Sequence, residues 1–247
     1  MKKVIWVLVG LMAIVVIALL GFVAYTQIAT SRPDQVAQKA LQSSSNVQVE
    51  SGEWLLFQPA GEQPTTGLVF YPGGLVDPQA YAPFAQDIAA QGYLVAIPSM
   101  PLNLAVLGIG QAQEVIDAHP EIQHWAVGGH SLGGAMAAQF IKDYPRAAEG
   151  LVLWAAYPSA DTDISCRVLK AVSIYGTNDG LSSPEEIKTT QELLPPDTVY
   201  VALEGGNHAQ FGYYGPQRGD LDPELSQQEQ RKQVVEATVN LLAGLGD

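Results

Sequence analysis

The chain has one cysteine, Cys166, only four histidines, and 12 Lys and Arg against 25 Asp and Glu, and each shortage excludes something. A lone cysteine forms no intrachain disulfide and no multi-thiolate zinc site, while leaving the redox compartment open. Cations are scarcest in the body of the chain: Lys2 and Lys3 take two of the 12, leaving ten against all 25 acids. Such a surface repels polyanions, so no nucleic-acid partner is expected. Charged residues of both signs make up only 15% and apolar ones 47%, which is neither a disordered nor a fibrous composition. With 247 residues, one well-buried α/β domain is expected.

What is present begins with an uncharged apolar run from Val4 to Tyr25. As a helix it would be roughly 33 Å long, against a bilayer core of about 30 Å. The expectation is an uncleaved membrane anchor over 4–25 after a short tail over 1–3. A cleaved signal peptide, giving a secreted protein, is the alternative; it favours a shorter apolar region and a small-x-small site, which Ala24-Tyr25-Thr26 does not supply. Lys2, Lys3 and the α-amine favour a cytoplasmic N-terminus with the remaining chain outside the cytoplasm. Residues 26–46 carry Arg32-Pro33 and Ser43-Ser44-Ser45 and read as a polar stalk with a short helix around Asp34 to Leu41. The catalytic domain is then expected over 47–247.

Within that domain, apolar runs alternate with helical periodicity. Strands are expected at Val47 to Glu50, Trp54 to Gln58, Gly67 to Tyr71, Tyr93 to Ile97, His124 to Gly128, Leu151 to Trp154, Ala171 to Tyr175 and Thr198 to Leu203. Helices are expected from Tyr81 to Ala89, near 107–118, 132–143 and 184–194, and at the end through Val234, Thr238 and Leu241. Continuous apolar strands alternating with amphipathic helices predict an α/β fold, a mostly parallel sheet covered on both faces.

Gly129-His130-Ser131-Leu132-Gly133 follows a strand and precedes a helix rich in small residues, the context in which Gly-x-Ser-x-Gly makes a sharp turn that exposes a serine nucleophile. A serine needs a base, and the base needs a carboxylate to orient it. His119 ends a helix, His124 begins a strand, and His130 is directed away from the Ser131 hydroxyl by its place in the turn. His208, in the loop after the last strand, is therefore the expected base. Asp179 follows the strand before it, in Gly176-Thr177-Asn178-Asp179-Gly180, and completes the order Ser, Asp, His. Asp161 and Asp163 are the next candidates for the acid. An oxyanion needs two backbone N–H donors: Leu132, after the nucleophile, and Gly74 in Tyr71-Pro72-Gly73-Gly74-Leu75, with Leu75 as the alternate. Gly219-Asp220-Leu221-Asp222-Pro223-Glu224 lacks calcium-loop spacing and reads as a solvated loop, so neither metal nor cofactor is expected.

The triad, together with Phe70-Tyr71-Pro72-Gly73-Gly74-Leu75-Val76-Asp77-Pro78, Met100-Pro101-Leu102-Asn103-Leu104-Ala105 and Asn207-His208-Ala209-Gln210-Phe211-Gly212-Tyr213-Tyr214-Gly215, makes the chain from about Val47 onward resemble a compact member of the α/β-hydrolase superfamily, similar to its dienelactone-hydrolase-like and membrane-anchored bacterial members. The resemblance implies an α/β-hydrolase fold and an esterase-type mechanism. Dienelactone hydrolases use a cysteine nucleophile; here the turn holds Ser131, and Cys166 lies elsewhere. The interval from Ala155 to Lys170 is too short for a cap domain, so an open site is expected.

The function expected is a membrane-anchored serine hydrolase of carboxylic esters or thioesters. Two alternatives stand beside it: an acyltransferase using the same triad, and a membrane-tethered binding protein that keeps the fold without catalysis. The expected partners are a small ester and, through residues 4–25, a membrane. Oligomeric state is left open.

Overall fold

A computed structural model describes residues 2–246; Met1 and the side chains of Lys2, Lys3 and Val4 lie outside the described part, and with them the charges that set the expected orientation. The chain divides into two units, residues 1–30 and 31–247. The first is one helix, α1 (Lys2–Ala29). Its stretch Ile5–Ala29 is long and apolar enough to cross a membrane. It has no proline, so every interior backbone group can bond within the helix, as a segment in lipid must.

The second unit is built on one eight-stranded sheet in the order β1-β2-β4-β3-β5-β6-β7-β8. The strands are β1 (Val47–Ser51), β2 (Trp54–Pro59), β3 (Thr66–Tyr71), β4 (Leu94–Pro98), β5 (His124–His130), β6 (Gly150–Trp154), β7 (Lys170–Gly176) and β8 (Val199–Leu203). From β4 to β8 all neighbours pair in parallel, and only β2 runs against the rest. A parallel sheet has to be covered on both faces. Alternation along each strand supplies the two cores: Leu68, Phe70, Val152 and Trp154 face one, while Val69, Tyr71, Leu151 and Leu153 face the other. The first core is closed by α2 (Gln35–Ala40), α3 (Ala82–Ala89) and α7 (Gln227–Ala243), the second by α4 (Gln111–Ala118) and α5 (Leu132–Asp143). A short α6 (Pro184–Thr189) begins with a capping box between Ser183 and Glu186. The interval from Ala155 to 169 contains no helix, in line with the expected lack of a cap.

One boundary differs from the sequence reading. The stalk expected over 26–46 does not extend past Thr30, because the compact unit starts at Ser31. Asp34 caps α2 by accepting from the Ala37 N–H, and Ala37 and Ala40 are buried in the core cluster. The Ser-rich stretch is a turn welded to β1, with Ser43 Oγ accepting from Val49 and Ser44 Oγ from Val47. Short polar residues were doing the work of strand partners, which composition does not distinguish from that of a linker.

Candidate active site

All the parallel strands from β3 to β8 end at the same edge of the sheet, and each expected site residue lies in a turn at that edge. The turn after β5 is the tightest. Ser131 has φ 53 and ψ −123, a left-handed conformation that costs a residue with a side chain about 1–3 kcal/mol. The glycines that flank it make that bend possible: a Cβ on Gly129 would lie 2.5 Å from the Gly133 carbonyl carbon, and one on Gly133 would lie 2.2 Å from the Tyr71 oxygen. The elbow is thus pressed between the start of α5 and the end of β3, and the Ser131 N–H is fixed to the Trp154 carbonyl at 2.9 Å.

Asp179 and His208 meet in the turns after β7 and β8. His208 Nδ1 lies 2.8 Å from Asp179 Oδ2, with both side chains out of solvent at 1% and 0% exposure. The other carboxylate oxygen accepts the N–H groups of Leu181 and Ser182 at 2.8 and 2.7 Å, so the acid is held independently of the histidine. Across the ring, His208 Nε2 is buried and, among the described residues, has no hydrogen-bond partner. An unsatisfied buried ring nitrogen is costly unless a ligand or a moving side chain uses it. No hydrogen bond joins it to Ser131 among the described residues; the elbow residue next to that serine, His130, has its ring 4.5 Å from that of His208. Asp163 is exposed and bonded to Ser165 in a local turn, whereas Asp179 is the carboxylate bonded to His208.

Of the expected oxyanion donors, Gly74 and Leu132 are neighbours: a Cβ on Gly74 would lie 3.1 Å from Leu132 Cδ2. Leu132 opens α5, where N–H groups have no helical acceptor. The Gly74 N–H has no acceptor among the described residues. Leu75, the alternate, is ruled out by its own geometry, because its N–H already donates to the Asn103 carbonyl at 2.7 Å.

Several positioning residues escaped the sequence reading. Tyr81 accepts from the Gly73 N–H and contacts His130 Nδ1, both at 2.9 Å. With the hydroxyl proton available to that ring nitrogen, the pair ties the loop after β3 to the elbow. Burial, and next the charge of His208, push the His130 pKa well below 6.5, so this second imidazole stays neutral. Phe211 stacks on its other side at 5.7 Å. Asp220, expected on a solvated loop, stitches the acid and base turns together: its carboxylate accepts from Gly180, Ala209 and, at 3.3 Å, His208. Gln230, fully buried on α7, holds Asn207 from both sides, accepting its N–H and donating to its carbonyl. Neither long loops nor polar helix positions carry a period, so no local signal marks them; only the contact does.

A family model described as "Alpha/beta hydrolase family" matches residues 67–232 of the chain. No curated protein matches it.

Proposed function

Because the chain belongs to the alpha/beta hydrolase family, we propose that it is a serine hydrolase acting on carboxylic esters or thioesters. One observation carries the reading: a buried His208–Asp179 pair whose free Nε2 stands at the same sheet edge as a serine held in a strained turn. In the first half-reaction His208 Nε2 takes the Ser131 proton as Oγ attacks the carbonyl carbon, and the oxyanion forms against the N–H groups of Leu132 and Gly74. Collapse breaks the ester C–O bond, and the proton passes from His208 to the departing alcohol or thiol. Water then repeats the sequence on the acyl-enzyme, releasing the acid and restoring Ser131. Asp179 stabilises the imidazolium and keeps Nδ1 protonated. An alcohol in place of water gives the acyltransferase reading with the same residues. The complete triad weighs against a purely binding role.

The location proposed is a single-pass membrane protein, with residues 4–25 as the span, the N-terminus cytoplasmic and the catalytic unit outside. The apolar helix supports a span and equally fits a signal sequence, which would yield a secreted enzyme.

A fluorophosphonate probe tests the chemistry. It should modify Ser131 in the native protein and nothing in Ser131→Ala, read by peptide mass spectrometry. Labelling at another serine, or none, overturns the assignment. Sequencing the mature N-terminus tests the location: a native terminus in the membrane fraction supports the anchor, and one near Gln27 identifies cleavage.

A further inference from the structure

The segment from Met100 to Leu107 takes no part in the chemistry above, yet it is built with care. It forms two successive 3-10 turns, Pro101–Asn103 and Ala105–Leu107, with Leu102 and Asn103 both in left-handed conformation at φ 56 and 54. Met100 and Ala105 anchor it, at 5% and 1% exposure. Its other apolar side chains point outward: Val106 and Leu107 are half exposed, and Leu102 and Leu104 are partly so. No charged residue occurs between Asp87 and Glu114. A strained, anchored, uncharged turn that presents leucine and valine to solvent has the chemistry of a surface meant to be covered.

Two hydrogen-bonded connections say what covers it. The segment adjoins the oxyanion loop, since the Leu75 N–H donates to the Asn103 carbonyl. The opposite end of the same residue, the Leu75 carbonyl, accepts from the Ser31 N–H at 2.8 Å, and Ser31 in turn accepts from Asp77 at 3.0 Å. Ser31 is two residues beyond the end of the apolar helix at Ala29, a reach of about 7 Å of chain. Ser31 is thus the residue through which the catalytic unit is joined to the apolar helix, and it is bonded to the loop that adjoins the segment. The body's excess of acids opposes anionic headgroups, so an uncharged apolar rim suits a zwitterionic surface.

We propose that Leu102–Leu107 is a lipid-docking rim, and that the site takes an amphiphilic ester whose carbonyl lies at the bilayer surface. The ester rests on the serine-hydrolase reading, and the docking rests on the apolar helix as a span. The absence of a cap fits this arrangement, because the remainder of an acyl chain can stay in the lipid instead of being enclosed by protein.

The full chain, reconstituted in phosphatidylcholine vesicles, provides the test. With Cys166→Ser as background, a bimane fluorophore at Leu107→Cys should be quenched by nitroxide-labelled phosphatidylcholine and shielded from iodide. At Val168→Cys, on the fully exposed loop before β7, iodide should quench and the nitroxide should not. Iodide quenching at 107 equal to that at 168 overturns the docking. Separately, Val106→Asp with Leu107→Asp should lower, by about tenfold, the ratio of turnover on a vesicle-borne ester to turnover on a water-soluble one; an unchanged ratio overturns the substrate class. Lipid quenching at 107 in a protein that never labels with fluorophosphonate would sink the hydrolase reading and its ester, while leaving the rim as a docking surface.

Discussion

The two edges of the sheet differ in a way that cavity size alone would misrepresent. At the amino edge, the starts of β7 and β8 and the end of α7 enclose a groove of about 1110 Å³, lined among others by Val168, Pro195, Val199, Ala237 and Leu241. Charged side chains line it too, among them Arg167, Lys170, Asp197 and Glu236, but none of these four is buried. At the carboxyl edge there are a serine at positive φ, a buried histidine hydrogen-bonded to a carboxylate on one side and without a partner on the other, and, among the described residues, two backbone donors without acceptors. Cost is the more informative signal: the positive-φ serine and the unpartnered buried ring nitrogen each destabilise the folded protein, whereas a groove beside an edge strand follows simply from α7 covering β6 and β7 more than β8.

The sharpest way to break that contrast is to substitute at both edges. Ser131→Ala and His208→Ala should each remove nearly all turnover, with the double variant little worse than either, since such residues act as a unit whose loss reaches about 10⁶ in kcat. Filling the groove with Ala237→Trp, or charging it with Val199→Asp, should leave kcat within about twofold, because neither touches the elbow or the base. Steady-state kinetics on one soluble ester decides both. A groove variant that abolishes activity while remaining folded would move the function to the amino edge.

Asp179→Asn has the next largest effect, and its reason is a tautomer. The amide oxygen can keep accepting from Leu181 and Ser182, so the turn survives. The amide nitrogen then faces His208 Nδ1 as a donor, which forces the ring proton onto Nε2, where the Ser131 proton has to go. A loss of about 10⁴ in kcat with an unchanged circular dichroism spectrum is expected. Full activity would transfer the orienting role to another acid.

Much of the arrangement at the carboxyl edge was legible because its signals are local. Gly129, Ser131 and Gly133 form the elbow within five residues, and Asp179 and His208 each follow a strand whose apolar run marks it. The alternation of Leu68, Val69, Phe70 and Tyr71 likewise announces a strand buried on both faces. What joins distant turns was not legible: Tyr81 to His130, Asp220 to the acid and base turns, Gln230 to Asn207. The segment before β1 was misread for a related reason, since Ala37 and Ala40 make a narrow apolar face that polar neighbours obscure. That misreading sharpens into a stability test. A chain starting at Val47 forfeits the backbone bonds from Ser31 to Leu75, Asp77 to Ser31 and Asp34 to Tyr213, each worth about 1 kcal/mol. It should melt below a chain starting at Ser31 and lose activity with the oxyanion loop; equal melting temperatures and rates would make residues 31–46 the expected stalk after all.

The smallest effect separates the two edges by pH. His130 is buried against Tyr81, His208 and Phe211, and its folded pKa lies well below 6.5, so protonation is favoured in the unfolded chain first. Above about pH 6.5 neither state binds that proton, and His130 adds no pH dependence. As pH falls below this value the unfolded state gains the proton and the folded state does not, so stability declines by up to about 1.4 kcal/mol per pH unit until the depressed folded value is reached. In His130→Asn the amide oxygen occupies the place of Nδ1 and can still accept from Tyr81, but nothing titrates. Urea unfolding between pH 7 and pH 5 should therefore give a shallower acid slope for His130→Asn than for the native protein, even though the variant starts lower after losing its stack on Phe211. Ala237→Trp, at the opposite edge, should keep the native slope. If His130→Asn kept it too, the acid sensitivity would belong to another group, and the neutral imidazole would be a packing element of the site with no part in its response to pH.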